Sequence, residues 1–208
     1  METIIKEPPG YRINEYLIVL NPREELRNKI KHVQQQFSEK FHAAPCLGNK
    51  PNIPLVKFAQ YEMMEKRLLD RLKAITLGYH PVKIELKDYG CFPSHTIFIN
   101  VVSKAPIQDL VKQIRTGAQR MMKLNNENKP QFFMEPYVPI ARKLQPWQFE
   151  RGWLEYSHKH FTGRFVADSL LLLKRRVGTL NYQIIERMEF QNMLIAVPRQ
   201  GDLFGNDL

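Results

Sequence analysis

The chain has 208 residues, 43% of them hydrophobic, enough for one domain with a packed core. Lysine and arginine outnumber aspartate and glutamate by 31 to 21, and the formal charge of +10 favours anionic partners such as RNA, nucleotides or other phosphates. Two cysteines, Cys46 and Cys91, are too few for a disulfide framework, and the first ten residues carry no apolar signal core. Reduced thiols in the cytoplasm are therefore expected, and the longest apolar runs are too short to span a bilayer.

In chain order, residues 1–11 read as an arm bearing Pro8, Pro9 and Gly10. Tyr16–Leu20 is a short continuous apolar run, read as a buried strand. Asn21, Pro22 and Glu24 then suit a helix start with a capping box, and Ile30, Val33, Phe37 and Phe41 continue at helical spacing. A loop follows over 42–50. Ile53–Phe58 is a strand whose Pro54 lacks an amide donor, so it should lie at an edge or carry a bulge. Gln60–Ala74 reads as a helix with Met64, Leu68 and Leu72 inward, and Val82–Leu86 as a half-buried strand. Tyr89–Pro93 reads as a turn and Thr96–Val102 as a strand. Pro106 opens a helix carrying Leu110, Ile114 and Met121, and 125–130 is a polar loop. Val138–Ala141 is a strand, Trp147–Phe161 a helix, Arg164–Lys174 a strand and Tyr182–Phe190 the closing strand, before a loose tail over 199–208.

One pattern recurs. Pro51-Asn52-Ile53-Pro54-Leu55-Val56-Lys57 is echoed by Pro136-Tyr137-Val138-Pro139-Ile140-Ala141-Arg142, a shift of 85 positions from 52 to 137. At the same shift Gln60 falls on Gln145, Glu65 on Glu150 and Leu69 on Leu154. Two copies do not make a solenoid. They predict one domain over 12–192, built from related halves of about 12–95 and 96–192. Each half has the order β-α-β-α-β, and one strand is added at the end. The fold class is α+β, with mainly antiparallel sheets related by a pseudo-two-fold axis, a central cleft and helices outside.

The repeated strands, together with Gly90-Cys91-Phe92-Pro93 and Phe161-Thr162-Gly163-Arg164-Phe165 ahead of Ser169–Lys174, resemble the 2′-5′ RNA ligase-like (LigT-like) proteins of the two-histidine phosphoesterase superfamily. The resemblance spans roughly residues 12–192. It implies a His-x-Thr/Ser motif in each half, on strands that line a cleft. The two histidines would act as general base and general acid on a 2′,3′-cyclic or 2′-5′ phosphodiester while the hydroxyls hold the phosphate. An imidazole changes charge near neutral pH, and a hydroxyl two residues along a strand shares its face.

This chain departs from the motif at all four positions. Asn52 and Pro54 stand in the first copy, Tyr137 and Pro139 in the second. Asparagine does not titrate, tyrosine titrates near pH ~10, and proline has no donor. General acid–base assistance is worth roughly 10²–10⁴-fold per group, so the family mechanism should be lost. The expected protein is a degenerate phosphoesterase that binds a nucleotide or RNA end in a basic cleft. Two alternatives stay open: an active cyclic phosphodiesterase or ligase with an altered mechanism, and a scaffold with a vestigial cleft.

No catalytic residue is assigned, and no cofactor or metal site is expected, since Gly-rich phosphate loops, Cys-x-x-Cys and His-Glu-x-x-His are all missing. The ligand-binding candidates are Asn52, Tyr137, His95 and the basic cluster Lys174, Arg175 and Arg176. By strand parity, Lys57 and Arg142 should point away from the cleft unless the prolines introduce bulges.

Overall fold

The computed structural model describes residues 10–43, 51–93, 95–179 and 181–193. The N-terminal arm before Gly10, the loop around Cys46 and the C-terminal tail lie outside the described residues. The described elements are β1 (Ile13–Leu20), α1 (Glu24–Phe41), β2 (Ile53–Tyr61), α2 (Glu65–Leu77), β3 (Val82–Phe92), β4 (Thr96–Val101), α3 (Lys104–Met122), β5 (Gln131–Phe132), β6 (Tyr137–Arg142), α4 (Pro146–Tyr156), β7 (Thr162–Ala167), β8 (Ser169–Arg176) and β9 (Gln183–Glu189). Among the described residues, no helix is long and apolar enough to cross a membrane.

The strands form two antiparallel sheets. One has the order β5-β2-β1-β8-β9, and the other the order β6-β4-β3-β7. In the first, Tyr16, Ile18 and Leu20 turn toward α2 and α3, whose Leu68, Leu72, Leu110 and Ile114 are buried. In the second, Ile97, Ile99 and Val138 turn toward α1 and α4. The helices thus cover the outer faces and leave the inner faces to each other, the bilobal duplication that the repeat predicts.

Five elements differ from their sequence reading. Helix α2 starts at Glu65 rather than Gln60, because β2 runs on through Tyr61. Helix α1 starts at Glu24, with Arg23 rather than Asn21 at the N-cap and no side-chain cap. Asn21 Oδ1 instead accepts a hydrogen bond from Arg27 at 3.5 Å, and Glu24 and Glu25 complement the helix dipole. Strand β3 runs on through the expected turn to Phe92, bent at an irregularity where Asp88 adopts φ 55°. Helix α4 ends at Tyr156, five residues short of Phe161, and opens with Pro146 and a reciprocal Gln145–Gln148 capping box. The single strand expected over Arg164–Lys174 is two. β7 pairs with β3 in one sheet and β8 with β1 in the other, and the switch falls at Asp168. The Asp168 carboxylate accepts from Ser169 Oγ and Arg187, and its carbonyl accepts the Phe190 amide.

The duplication extends to an irregularity in the ladders. Between β1 and β2, Ile18 faces Val56 and Val19 faces Pro54, so Leu55 is an extra residue. Between β4 and β6, Ile97 faces Ala141 and Phe98 faces Pro139, so Ile140 is extra. Each bulge follows the repeated proline, and the two fall on matching repeat positions. The bulge changes side-chain parity within the strand, because one added residue inverts every side chain beyond it. Residues 57 and 142 therefore return to the face that carries 54 and 139.

Candidate functional site: a basic cleft between two bulged strands

One wall of the cleft is the inner face of the five-stranded sheet. Register places Glu15, Leu17 and Val19 of β1 there, beside Leu171, Leu173 and Arg175 of β8 and Pro54 and Lys57 of β2. Val19, Leu171 and Leu173 form a small apolar cluster of their own, with Leu17 and Tyr182 packed against it. Above it the Glu15 carboxylate is held from three sides. Arg175 makes a close ion pair with it, the Tyr182 hydroxyl donates to it at 3.3 Å, and Lys57 lies 3.8 Å away. The Arg175 guanidinium also stacks on the Tyr182 ring, 4.7 Å from its centroid.

The opposite wall is aromatic. Tyr137 opens β6, and its ring meets those of Phe92 at 5.0 Å and Phe98 at 5.1 Å. Phe92 and Phe98 are themselves 4.7 Å apart. Gly90 leaves space beneath them, since a Cβ there would lie 2.6 Å from Asn100 Oδ1 and 2.7 Å from the Phe98 ring. Arg142, brought round by the bulge, donates from Nη2 to the Tyr137 hydroxyl at 3.4 Å, and its guanidinium lies 5.5 Å from the centre of the Tyr137 ring.

The two walls face each other. Cα atoms of β2 and β6 come within 8 Å. Across the gap, the Arg142 charge is felt at the Tyr182 hydroxyl. Burial pushes that hydroxyl's pKa above the usual phenol range; Glu15 adds to the rise, while Arg175 and Arg142 oppose it. The groups named on the walls include three cations, Lys57, Arg142 and Arg175, and one carboxylate, Glu15.

The candidates from the sequence fall in different places. Asn52 immediately precedes β2 and Tyr137 opens β6, so the duplicated positions sit on the strands that meet. Pro54, Pro136 and Pro139 are buried. Asn52 Oδ1 is shut off from solvent with no hydrogen-bond partner, and so is Arg142 Nε. The basic cluster divides by strand parity. Arg175 faces the cleft, whereas Lys174 is opposite Tyr16 on the helix-covered face. There Lys174 donates to Glu65 at 2.7 Å and Glu62 at 3.3 Å. Burial alone would lower its pKa, but those two carboxylates outweigh it and raise the value. Arg176 shares that parity and is exposed. His95 is exposed in the turn before β4, its Nδ1 2.9 Å from the Pro93 carbonyl. The bulges that the sequence reading named as the exception are present, and they turn Lys57 and Arg142 into the cleft. Sequence reasoning missed Glu15, Tyr182, Phe92 and Phe98. The repeated prolines were the available signal for Lys57 and Arg142; nothing local marks Glu15 or Tyr182, which meet across 167 positions.

Chemically, the cleft offers cations, hydroxyls and rings. All six histidines are exposed, and none lies on β2 or β6. Among the described residues, no group of three or more His, Cys, Asp or Glu side chains could hold a metal ion.

A duplicated α+β fold whose two antiparallel sheets enclose a cleft, with the repeated motif strands side by side, is the architecture of the two-histidine phosphoesterases. The profile of the 2′-5′ RNA ligase superfamily matches residues 22–179, and the chain belongs to that family. Solved structures agree on the fold. A phosphoesterase crystal structure superposes with a TM-score of 0.59 at 16% identity, covering 88% of this chain and 99% of its own. Escherichia coli LigT complexed with phosphate gives 0.60 at 14% identity, covering 86% of this chain and 98% of its own. The protein TT0787 of Thermus thermophilus gives 0.58 at 14% identity, covering 85% and 98%. A sequence search of curated proteins finds no match.

Proposed function

We propose that this protein binds the phosphate of a nucleotide or RNA end in the cleft and does not perform two-histidine phosphodiester chemistry. The observation that carries the reading is Arg142. Its strand bulge turns it onto the face of Tyr137, where its guanidinium lies against the ring and its Nε–H has no partner. A guanidinium with unused donors beside an aromatic ring suits a phosphate with an adjoining base. The excess of cations over carboxylate adds a field of the same sign. LigT, which shares the fold, has been solved with phosphate and with 3′-AMP, and that likeness supports the ligand class.

The loss of catalysis follows from the side chains at the motif positions. Asn52 cannot take up or release a proton at neutral pH, and Pro54 and Pro139 offer no hydroxyl. Glu15, the one carboxylate named on the walls, is tied to Arg175, Tyr182 and Lys57. The test is titration of a short 3′-phosphorylated RNA at several salt concentrations. Affinity should fall steeply with salt, and Arg142→Gln should weaken binding and flatten the logarithmic slope by about 0.7, the release expected for one single-strand phosphate contact. Affinity indifferent to both salt and Arg142→Gln would leave a scaffold as the better reading.

A further inference from the structure

We infer that Asn52 reads a ribose hydroxyl beside the bound phosphate, so that the cleft selects an open ribose monophosphate end with a free vicinal hydroxyl. This rests on the phosphate-binding reading and specifies its ligand. The observation is a pair of orphaned polar atoms of opposite character. Arg142 Nε is a buried donor without an acceptor, and Asn52 Oδ1 is a buried acceptor without a donor. Buried polar atoms are nearly always paired, and each one left unpaired destabilises the fold. The third such atom among the described residues, Asn14 Nδ2, lies on the other face of its sheet, on the same parity as Tyr16, and has no part in the cleft.

The two cleft atoms sit on the duplicated strands that approach each other, and each is placed by sheet register. Ile53 pairs with Leu20 on the core side, so alternation along the chain assigns Asn52, the residue before it, to the inner face with Pro54. Arg142 reaches the inner face through the bulge at Ile140. A terminal phosphate monoester, mostly the dianion at neutral pH, would satisfy Arg142 but offers Asn52 Oδ1 no donor. A 2′,3′-cyclic phosphate likewise has no hydroxyl beside the phosphorus. An open terminus, with phosphate on one ribose oxygen and hydrogen on its neighbour, brings an acceptor and a donor a few bonds apart. A group that only binds at position 52 fits this end, whereas a proton-transferring histidine fits the closed ring.

The test uses the full chain and three five-nucleotide RNAs labelled at the 5′ end. One ends in a 3′-phosphate with a 2′-hydroxyl, one in the same phosphate on a 2′-deoxyribose, and one in a 2′,3′-cyclic phosphate. The wild type should bind the first about tenfold more tightly than the second, as expected when a buried acceptor loses its only donor. Asn52→Leu should bind the first two equally, near the wild-type affinity for the deoxy end. Asn52→Asp, which keeps the acceptor, should retain the preference and guards against a fold defect in the leucine variant. The cyclic end should bind no better than the deoxy end. Equal wild-type affinity for the first two, or a preference that survives in Asn52→Leu, overturns the inference while leaving phosphate binding intact. Salt-insensitive binding of all three would instead remove the phosphate reading beneath it.

Discussion

Glu15→Gln should tighten anion binding in the cleft. In the native protein Glu15 engages Arg175, Tyr182 and Lys57, and the Glu15 and Arg175 side chains are only 18% and 20% exposed. Glutamine keeps an oxygen for the Arg175 and Tyr182 donors but removes the charge. Taking about 8 Å between the lost carboxylate and a phosphate on Arg142, and an effective dielectric of about 20–40, that repulsion is about 1–2 kcal/mol, or roughly five- to thirtyfold in affinity. The same substitution weakens charge-assisted hydrogen bonds to Arg175 and Tyr182, so stability should drop by about 1–2 kcal/mol. Fluorescence anisotropy of a labelled 3′-phosphorylated RNA in low salt reads the first effect, and urea unfolding reads the second. The gain should shrink as salt rises, because screening reaches a cleft open to solvent. An unchanged or weaker affinity in a folded Glu15→Gln protein would refute the placement of Glu15 opposite the phosphate.

Three further outcomes follow from the packing. Gly152→Ala should destabilise the protein by about 1–2 kcal/mol in urea unfolding, although alanine favours helix by about 1 kcal/mol. Its Cβ would lie 2.6 Å from Phe37 Cζ, where α4 crosses α1. Lys174→Met should cost about 1–3 kcal/mol by stranding the half-buried Glu65, which also accepts from Tyr16 at 3.0 Å, and should leave RNA affinity and its salt slope unchanged. Alkali should unfold the protein in a window set by buried tyrosines. Burial first, and then Asp109, pushes Tyr79 up to about 12; burial first, and then Tyr89 and Glu155, does the same for Tyr156. Both side chains are 2% exposed. A raised folded pKa gives stability that is complete below the unfolded value near pH ~10 and is lost as pH climbs through the folded value. Each group should then contribute about 2–3 kcal/mol of loss by pH ~12. Phenolate absorbance should rise in step with the loss of far-UV circular dichroism, and smooth titration of every tyrosine in folded protein would refute it.

The repeat of Pro-x-(Ile/Val)-Pro made the architecture legible from sequence, because proline in a strand interior is costly and two matching instances mark matching structure. The hydrophobic runs of β1, β2, β4 and β6 were legible for the ordinary reason that their apolar side chains face the core. The division of β7 from β8 was not, since the polar break Asp168-Ser169 between Phe165 and Leu173 has no glycine or proline; the sheet change depends on which partner strand waits on each side of Asp168. The facing of the site was the larger loss. Simple alternation carries Lys57 and Arg142 outward, and only the extra residues Leu55 and Ile140 return them. The basic run Lys174-Arg175-Arg176 reads as one cluster in sequence, yet adjacent strand residues oppose each other, so it serves two faces. Glu15 and Tyr182 gave no signal, because their meaning lies in a contact made only when β1 and the β8–β9 connection come together.

Prolonged incubation of the purified protein with an oligonucleotide ending in a 2′,3′-cyclic phosphate, resolved by chromatography at neutral pH, bears most directly on the replacement of proton-transferring side chains by binding ones. Opening of the ring should proceed no faster than in buffer, under conditions where a 3′-phosphorylated oligonucleotide saturates the cleft. Multiple turnovers that disappear in Tyr137→Phe would contradict it, by showing that the phenol beside Arg142 moves a proton after all.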